Sequence, residues 1–420
     1  PSGCAKWYMS GWSEDLEDSL VGAHFTVAAP YGSQHVTTRN GRTGPDRDGV
    51  LIGVVGTGID PRHPEFLGRI DRIWDQTLAG GSGVPEGRYG AELTADSLGA
   101  DVLSRDSDGH GTHVAGIAAG TEEVAPEARI VAVRTDFQDA HIINGIQYVF
   151  RLAGELGVPA VVNLSLGGHV DAHDGTDLMS LAIEEERGPG GLARRKGRDR
   201  ACARTRTHRP SKERAWYAGG DRLEVAVVSP SGESTAFQPV FTSGSPVRAY
   251  ALAEGVVQIV TPGPDSGNGD HNFFVAVEPA PTAPSALAPR WRLVLREAGV
   301  GGASCTADVW MLGKQEARPQ PQFRGPTVHD ALKIGSPGAA TSAITVAAAT
   351  TRTRWQNVDG VQREATWLVA DDIAGFSSEE PRRDGLPKPG LRRAALCSDS
   401  AVVDHVGCQG DVADLHRPDA

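Results

Sequence analysis

Residues 109–120 read GHGTHVAGIAAG, and they decide the fold more than any other stretch of the chain. Two glycines flank His110, and small residues continue to Gly120. The glycines allow a tight backbone turn, and the small residues allow a helix to pack close to a sheet. The pattern therefore predicts a histidine fixed at the start of a helix, the placement that a general base needs. A lone histidine is more often structural, so the catalytic interpretation depends on the whole string.

Strands and helices alternate on both sides of this stretch. VLIGVV (50–55), RIVAVRT (129–135) and PAVVNLSLGG (159–168) are apolar runs typical of strands buried on both faces. AHIINGIQYVFRLAGELG (140–157) has the apolar spacing of a helix. This alternation predicts an α/β core, a mainly parallel sheet with helices on both faces.

The second half of the chain has a different texture. From 187 to 214 there are eleven Lys or Arg residues, two acids and almost no apolar periodicity. From 215 to 325 (the insertion), short β-rich runs separated by turn residues predict an inserted antiparallel β-sandwich of jelly-roll type. The predicted division is an irregular segment at 1–48, a first core part at 49–186, a basic disordered segment at 187–214, the insertion at 215–325, a second core part at 326–389 and an aberrant tail at 390–420.

The overall composition is that of an ordinary globular protein and argues against several other classes. The 420 residues are 39% hydrophobic and 22% charged, with a formal net charge of −12. A generic nucleic-acid binder, or a protein of anionic membrane surfaces, is more often basic. No apolar run approaches the roughly 20 residues that span a bilayer. The five cysteines are scattered and odd in number, which indicates neither a disulfide framework nor a zinc site.

These segments resemble the subtilisin-like serine peptidases, the subtilases. GHGTHVAGIAAG is similar to the family's histidine motif, in which His110 would be the general base and His113 a second, structural histidine. VVGTGIDPRHPEF (54–66) resembles the strand and turn around the catalytic Asp. The resemblance implies a subtilisin-like fold and peptide-bond hydrolysis by a Ser-His-Asp triad.

The resemblance also implies a substrate-binding strand. PAVVNLSLGG is similar to that strand in the family, where Ser165, Leu166 and Gly167 would line the S1 pocket and pair with the substrate backbone. The resemblance covers roughly 49–185 and 330–389, and the insertion resembles the jelly-roll insertion of some bacterial members. Further similar segments are RIDRIWDQT (69–77), IGSPGAATSAITVAAAT (334–350) and IAGFSSEEPRRDGLPKP (373–389).

The sequence departs from the family pattern at the catalytic Asp. The family motif reads V-[IV]-D-[ST]-G-[IL]-D, and Gly56 stands where its first Asp belongs. That carboxylate orients the imidazole and stabilises its charged form, and in subtilisin its loss lowers kcat on the order of 10⁴-fold. Asp60, the second acid of the motif, is the alternative source of a carboxylate.

The oxyanion-hole Asn and the nucleophile are also missing from their expected places. An AAGN segment is expected roughly thirty residues after SLGG, where this chain reads GPGGLARRKGRDR (188–200), and SGNG (266–269) reads as an ordinary turn. Loss of that Asn costs about 10²–10³ in kcat. No G-T-S-x-A-x-P follows Pro389, and Ser398 and Ser400 lack the small neighbours of a nucleophile turn, so both are expected to be ordinary serines.

Three interpretations of the basic segment 187–214 remain open. It is a patch for nucleic acid or heparin, a solvated disordered loop, or an out-of-frame translation of the stretch that should carry AAGN. GC-rich genes read out of frame yield Arg, Ala, Gly and Pro, and the final thirty residues break the pattern in a similar way. The nucleotide sequence distinguishes the third interpretation from the others.

Three functional hypotheses follow. The first is a subtilisin-like serine endopeptidase acting on polypeptides, with impaired or no activity because of Gly56 and the missing serine. The second is a pseudoprotease that binds peptides, and the third is a truncated or frameshifted product. No cofactor is expected, a structural Ca²⁺ has no visible ligand cluster, and neither nucleic acid nor membrane is an expected partner. Family analogy implies a secreted or extracellular protein, although no signal peptide is visible.

Overall fold

A computed structural model describes residues 49–79, 83–98, 106–121, 125–186, 211–241, 247–280, 290–298, 305–312, 322–329, 331–347 and, in short pieces, parts of 353–388. It also describes the backbone of short strands at Ala23–Phe25, Val36–Thr38, Arg204–Arg206 and Leu391–Arg392. The rest of the segment 1–48, most of the basic segment and most of the tail 390–420, with Ser398 and Ser400, lie outside the described residues.

The first core part is built around one sheet. Two short strands, β1 (Ala23–Phe25) and β2 (Val36–Thr38), pair antiparallel ahead of it. The core elements are β3 (Leu51–Gly56), β4 (Ile70–Asp75), β5 (Ala91–Thr94), α1 (His110–Ala119), β6 (Arg129–Arg134), α2 (Asp139–Leu156), β7 (Ala160–Asn163) and α3 (Leu178–Glu185). The sheet order is β5–β4–β6–β3–β7; β5 runs antiparallel to β4, and the other neighbours are parallel. This confirms the predicted α/β core with a mainly parallel sheet.

Strand β3 is buried along its whole length because helices cover both faces of the sheet. Ile52 and Val54 pack with the alanines of α1 on one face. Leu51 and Val55 pack with α2 on the other face. Since successive side chains of a strand point to opposite faces, this pattern fixes which face each later residue of β3 meets.

The insertion forms two antiparallel sheets that share an apolar core. Its strands are β8 (Arg204–Arg206), β9 (Ser211–Tyr217), β10 (Leu223–Val228), β11 (Val247–Leu252), β12 (Gly255–Val260), β13 (His271–Pro279), β14 (Arg290–Glu297), β15 (Ala307–Leu312) and β16 (Gln322–Arg324). One sheet has the order β10–β14–β8–β16 and the other the order β11–β12–β13–β9–β15. Val225 and Val227 of the first sheet pack with Ile259 and Phe273 of the second.

The structure departs from the disorder predicted for 187–214 at two places. Strand β8 lies inside that segment, and β9 begins at Ser211, four residues before the predicted start of the insertion. Strand β9 is hard to recognise in the sequence because its charged residues interrupt the apolar pattern. In the structure Glu213 is nevertheless buried, and the Arg214 guanidinium lies 5.6 Å from the centre of the Trp216 ring. Main-chain pairing with β13 on one side and β15 on the other holds this strand whatever its side chains.

The second core part adds two pairs of short strands, which form sheets of their own. Strand β17 (Val346–Ala347) pairs in parallel with β20 (Leu391–Arg392), and β18 (Arg354–Gln356) pairs antiparallel with β19 (Gln362–Glu364). None of the helices in the described parts of the chain is both long and apolar enough to cross a bilayer.

Candidate active site

His110 is the first residue of helix α1, where the sequence places it. Gly109 precedes the helix with φ 87°, a left-handed conformation that glycine adopts without strain. The carboxylate of Asp106 accepts the N–H groups of Gly109 (2.9 Å) and Thr112 (2.8 Å) and the Thr112 hydroxyl (2.8 Å). Asp106 therefore caps this helix, a role that the sequence analysis missed and that an acid shortly before a helix start could have indicated.

The end of strand β3 lies directly against the first turn of α1. The N–H of Gly111 donates to Thr57 Oγ1 at 2.8 Å. A side-chain carbon on Gly111 would collide with the carbonyl oxygen of Gly58. The glycine after His110 is therefore required by a close approach of two backbones, which holds His110 beside the strand end.

Gly56 faces the helix that carries His110. Ile52 and Val54 pack against α1, so the alternation of β3 directs position 56 to the same face. Gly56 is buried, yet among the described residues no atom lies within 4 Å of the place where its Cβ would stand. Apart from Gly56 and its two chain neighbours, the described residues thus leave a gap at the position that the resemblance assigns to a catalytic carboxylate.

Asp60 does not stand in for that carboxylate. Its two oxygens accept bonds from the Arg62 guanidinium at 3.1 Å each, and its N–H donates to Thr112 Oγ1 at 3.0 Å. These contacts hold the Asp60 side chain on Arg62, beyond the turn that follows Gly58.

The imidazole of His110 reaches toward strand β7. Its Nε2 lies 3.1 Å from the carbonyl oxygen of Ser165. A carbonyl oxygen can only accept, so a hydrogen bond at this contact requires the hydrogen to be on Nε2. A triad histidine requires the reverse arrangement, in which a carboxylate holds Nδ1–H and Nε2 accepts the proton of the nucleophile.

Residues 165–168, the SLGG stretch, continue strand β7 past the histidine. Ser165 is half-buried, and its hydroxyl donates to Asn163 Oδ1 at 2.8 Å, whereas Gly167 and Gly168 are exposed. The Gly168 N–H donates to the carbonyl of Ser336 at 3.3 Å. The second core part therefore supports one side of the SLGG stretch, and Leu166 packs onto the core beneath it.

The insertion docks on the residues that follow the SLGG stretch. Trp310 stacks on the buried His173 with ring centroids 4.0 Å apart, and its Nε1 donates to the carbonyl of Leu332 at 2.8 Å. Trp216 Nε1 donates to the carbonyl of Val170 at 3.3 Å. These contacts join residues at least 22 positions apart, and no local sequence pattern predicts them.

Charged groups also join the three parts of the chain at this place. Arg383 of the second core part forms ion pairs with Asp174 of the first part (3.2 Å) and with Asp270 of the insertion. The turn at 266–269 contributes as well, because Asn268 Nδ2 donates to Asp174 Oδ2 at 3.0 Å. That turn is held by Asp265, whose Oδ1 accepts the Gly267 N–H at 2.8 Å.

Burial perturbs three titratable groups around the site. Burial, with a smaller effect of the neighbouring His110, lowers the pKa of His113 to about 4. Burial lowers the pKa of His173 to about 2. Burial, with a smaller effect of Asp177, raises the pKa of Asp171 to about 7. At neutral pH the two histidines are therefore neutral, in keeping with structural positions.

Within the described residues, no group of three or more His, Cys, Asp or Glu side chains is arranged to hold a metal ion. The expectation that the protein needs no cofactor remains a prediction, as does the expectation that it has no cluster of Ca²⁺ ligands.

Comparison with known proteins points to one family. The sequence model of the subtilase family, Peptidase_S8, matches residues 47–257. Subtilisin-like protease 3 of Pseudogymnoascus destructans is 31% identical over 172 residues, and Subtilisin-like protease 5 of Trichophyton verrucosum is 32% identical over 171 residues. Each match covers 37% of this chain and 37% of the relative, so the chain spans little more than a third of their length.

A solved structure shares the fold over most of the chain. The Clostridium perfringens CspB protease superposes with a TM-score of 0.61 and 19% sequence identity, covering 82% of this chain and 74% of that one. At this identity the likeness concerns the fold alone.

Proposed function

The chain belongs to the subtilase family, and from that premise we propose that it binds extended polypeptide along the SLGG stretch without hydrolysing it. The exposed Gly167 and Gly168 support this proposal, because they leave the backbone of a strand end accessible. An extended peptide adds to such an edge through main-chain hydrogen bonds. Ser165, Leu166 and Gly167 are the proposed contact residues.

The contact between His110 Nε2 and the Ser165 carbonyl is the main support for the proposed lack of hydrolysis. It supports a tautomer in which the nitrogen that should accept the proton of a nucleophile is already protonated. Gly56 supports the same conclusion, because it offers no carboxylate to reverse the tautomer. No G-T-S motif occurs in residues 390–420, which also supports the proposed lack of hydrolysis.

Peptide-bond hydrolysis is the second candidate, and one observation favours it. His110 keeps its place at the start of α1, half-exposed and beside the SLGG stretch, as the base of a serine endopeptidase would. This candidate requires a serine nucleophile and a carboxylate at position 56. A truncated or frameshifted product is the third, and it predicts a chain that does not fold.

Further aspects of the proposal rest on family membership. We propose that the protein is extracellular, that its partners are polypeptides and that it needs no cofactor. The two antiparallel sheets and shared core of the insertion support a jelly-roll-like arrangement.

A fluorophosphonate probe and labelled casein distinguish these candidates. The full chain should resist the probe, leave casein intact and bind fluorescein-labelled casein in a polarisation assay. Gly168→Leu should weaken that binding at least about 10-fold, because it places a side chain over the SLGG stretch where no described atom lies within 4 Å.

The control is Gly220→Leu in an exposed turn of the insertion, where a side chain also meets no described atom within 4 Å. Binding should survive this change. Labelling by the probe together with casein cleavage would overturn the proposal in favour of the endopeptidase. Failure of the wild-type chain to fold would favour the damaged product.

A further inference from the structure

Three neighbouring strands end in one row beside His110. Asp75 of β4 pairs in register with Arg134 of β6, and Arg134 pairs in register with Gly56 of β3. The residues two positions earlier, Ile73, Ala132 and Val54, all pack in the cluster beneath α1. Side chains repeat with a period of two along a strand, so Asp75, Arg134 and position 56 all face α1.

Arg134 has hydrogen-bonding capacity in this row that its described neighbours do not use. Its guanidinium carries five N–H donors. Its contacts with described residues are Asp75 Oδ2 at 3.5 Å and Ser107 Oγ at 3.5 Å, both at the long limit of a hydrogen bond. Its aliphatic stem lies against Gly58, next to the turn that follows Gly56. A planar guanidinium with unused donors is suited to bidentate binding of a carboxylate.

The gap at Gly56 lies next to Arg134 in this row, and the first turn of α1, which begins at His110, packs on the end of the same strand. Among the described residues, no atom lies within 4 Å of its Cβ position, although Gly56 itself is buried. With Nε2 of His110 next to the Ser165 carbonyl, Nδ1 is the ring nitrogen that remains for a ligand. A carboxylate there would accept from Arg134 and favour a second hydrogen on the ring, at Nδ1, taken from solvent.

Two acids on neighbouring elements, Asp75 and Asp106, are already bound, and they limit the affinity. Asp75 Oδ1 accepts the N–H of Thr77 at 2.9 Å and its hydroxyl at 2.6 Å, and Asp106 caps α1. Their charges repel a further anion, so a free small carboxylate should bind in the millimolar range. A carboxylate carried by a peptide on the SLGG stretch would be tethered nearby, because β3 pairs with β7 up to Val54 and Asn163, two residues before Gly56 and Ser165.

We propose that the gap at Gly56 is a carboxylate-binding site, in which Arg134 and the His110 ring hold either a small free carboxylate or an acidic group of a bound peptide. This deepens the proposed peptide-binding function and rests on it for the peptide source. Binding brings one proton from solvent onto His110, and no covalent bond forms or breaks.

The experiment records the ring ¹⁵N signals of His110 in the full chain at pH 7. Sodium acetate, compared with sodium chloride at equal ionic strength, should move the Nδ1 signal toward the protonated range and saturate. Gly56→Asp should show the moved signal without acetate, because the carboxylate is then covalently in place. Gly56→Ala, which fills the gap with a methyl group, should abolish the response to acetate.

A matched control separates the site from a general effect of charge. Gly154→Asp adds the same charge on the exposed side of α2, where a side chain meets no described atom within 4 Å, and it should respond to acetate like the wild type. A response to acetate that persists in Gly56→Ala would place the ligand elsewhere and overturn the proposal.

A pair of peptides identifies the source of the carboxylate. Acetyl-Ala-Ala-Asp-Ala-Ala-amide should bind at least about 10-fold more tightly than its Asn analogue, and Gly56→Ala should remove that difference. A response to acetate with equal binding of the two peptides assigns the site to a free small carboxylate. If acetate gives no response and the two peptides bind equally, the proposal is overturned. Measurable and equal binding of the two peptides would still support the proposed peptide-binding function. Labelling by the fluorophosphonate probe together with casein cleavage would refute that function without changing the acetate result.

Discussion

Two helical glycines give a direct test of how closely strand β3 approaches the helix of His110. A Cβ on Gly111 would lie 2.0 Å from the carbonyl oxygen of Gly58, whereas real Cβ contacts are essentially never shorter than 3.0 Å. This neighbour is a backbone atom, which cannot swing aside as a side chain can. A Cβ on Gly154 of α2 meets no described atom within 4 Å. Gly111→Ala should therefore destabilise the fold, whereas Gly154→Ala should not.

The expected magnitude follows from the contacts at the strand end. Forced overpacking costs typically about 1–3 kcal/mol. Separating strand and helix also breaks the bonds from the Gly111 N–H to Thr57 and from the Asp60 N–H to Thr112, each contributing about 1 kcal/mol. Because alanine favours a helix more than glycine does, the substitution offsets about 1 kcal/mol of this loss in stability. Gly111→Ala should thus lose about 2–4 kcal/mol, and Gly154→Ala should gain about 0.5–1 kcal/mol.

Urea unfolding at neutral pH measures both variants. With a slope of about 3 kcal/mol per molar urea, the midpoint for Gly111→Ala should fall by roughly 1 M, and that for Gly154→Ala should stay or rise slightly. Amide exchange of Val131 and Val133 in β6 assigns the transition to this sheet rather than to the insertion. A Gly111→Ala midpoint at or above that of the wild type would refute the close approach of β3 to α1, and with it the placement of His110.

Three further predictions concern the contacts between the insertion and the core. Arg383 lies largely buried between two carboxylates, so Arg383→Met should cost about 3–5 kcal/mol in urea unfolding. Arg354→Met breaks an exposed ion pair and should cost less than about 1 kcal/mol; equal losses would contradict the docking role of Arg383. Trp310→Ala should cost about 3–5 kcal/mol and speed amide exchange in 169–177 while strand β6 stays protected; unchanged exchange in 169–177 would count against the stacked contact. Because burial lowers the pKa of His173 to about 2, only the unfolded chain takes up this proton near and below pH 6.5. The contribution of this residue to stability should therefore fall as the pH drops from 6.5 to 5, with a slope that approaches about 1.4 kcal/mol per pH unit. His173→Asn, which suits the left-handed backbone there, should flatten that slope in urea midpoints, and an unchanged slope would assign the effect to other groups.

Local patterns were sufficient for three of the five strands of the core sheet, β3, β6 and β7. The apolar runs around Val54, Val131 and Val162 predict buried parallel strands because a strand covered on both faces has no polar side. Strands β8 and β9 were missed, since their charged side chains break the apolar pattern. Pairing between main-chain groups forms them, and a sequence read one segment at a time does not reveal its partners.

The candidate site divides in the same way. The sequence by itself determined the family, three strands of the core sheet and the place of His110 at a helix start. For His110 the reason is that GHGTHVAGIAAG encodes local geometry: a tight turn, a helix and a close approach. The tertiary structure alone decided which face position 56 meets, where His110 Nε2 points and what lies beside the gap. Arg134 and Ser165 lie 24 and 55 positions after His110, and only the pairing of β6, β3 and β7 brings them to one edge of the sheet. Hydrogen-bond direction and burial depend on such distant neighbours, so no local pattern could have specified them.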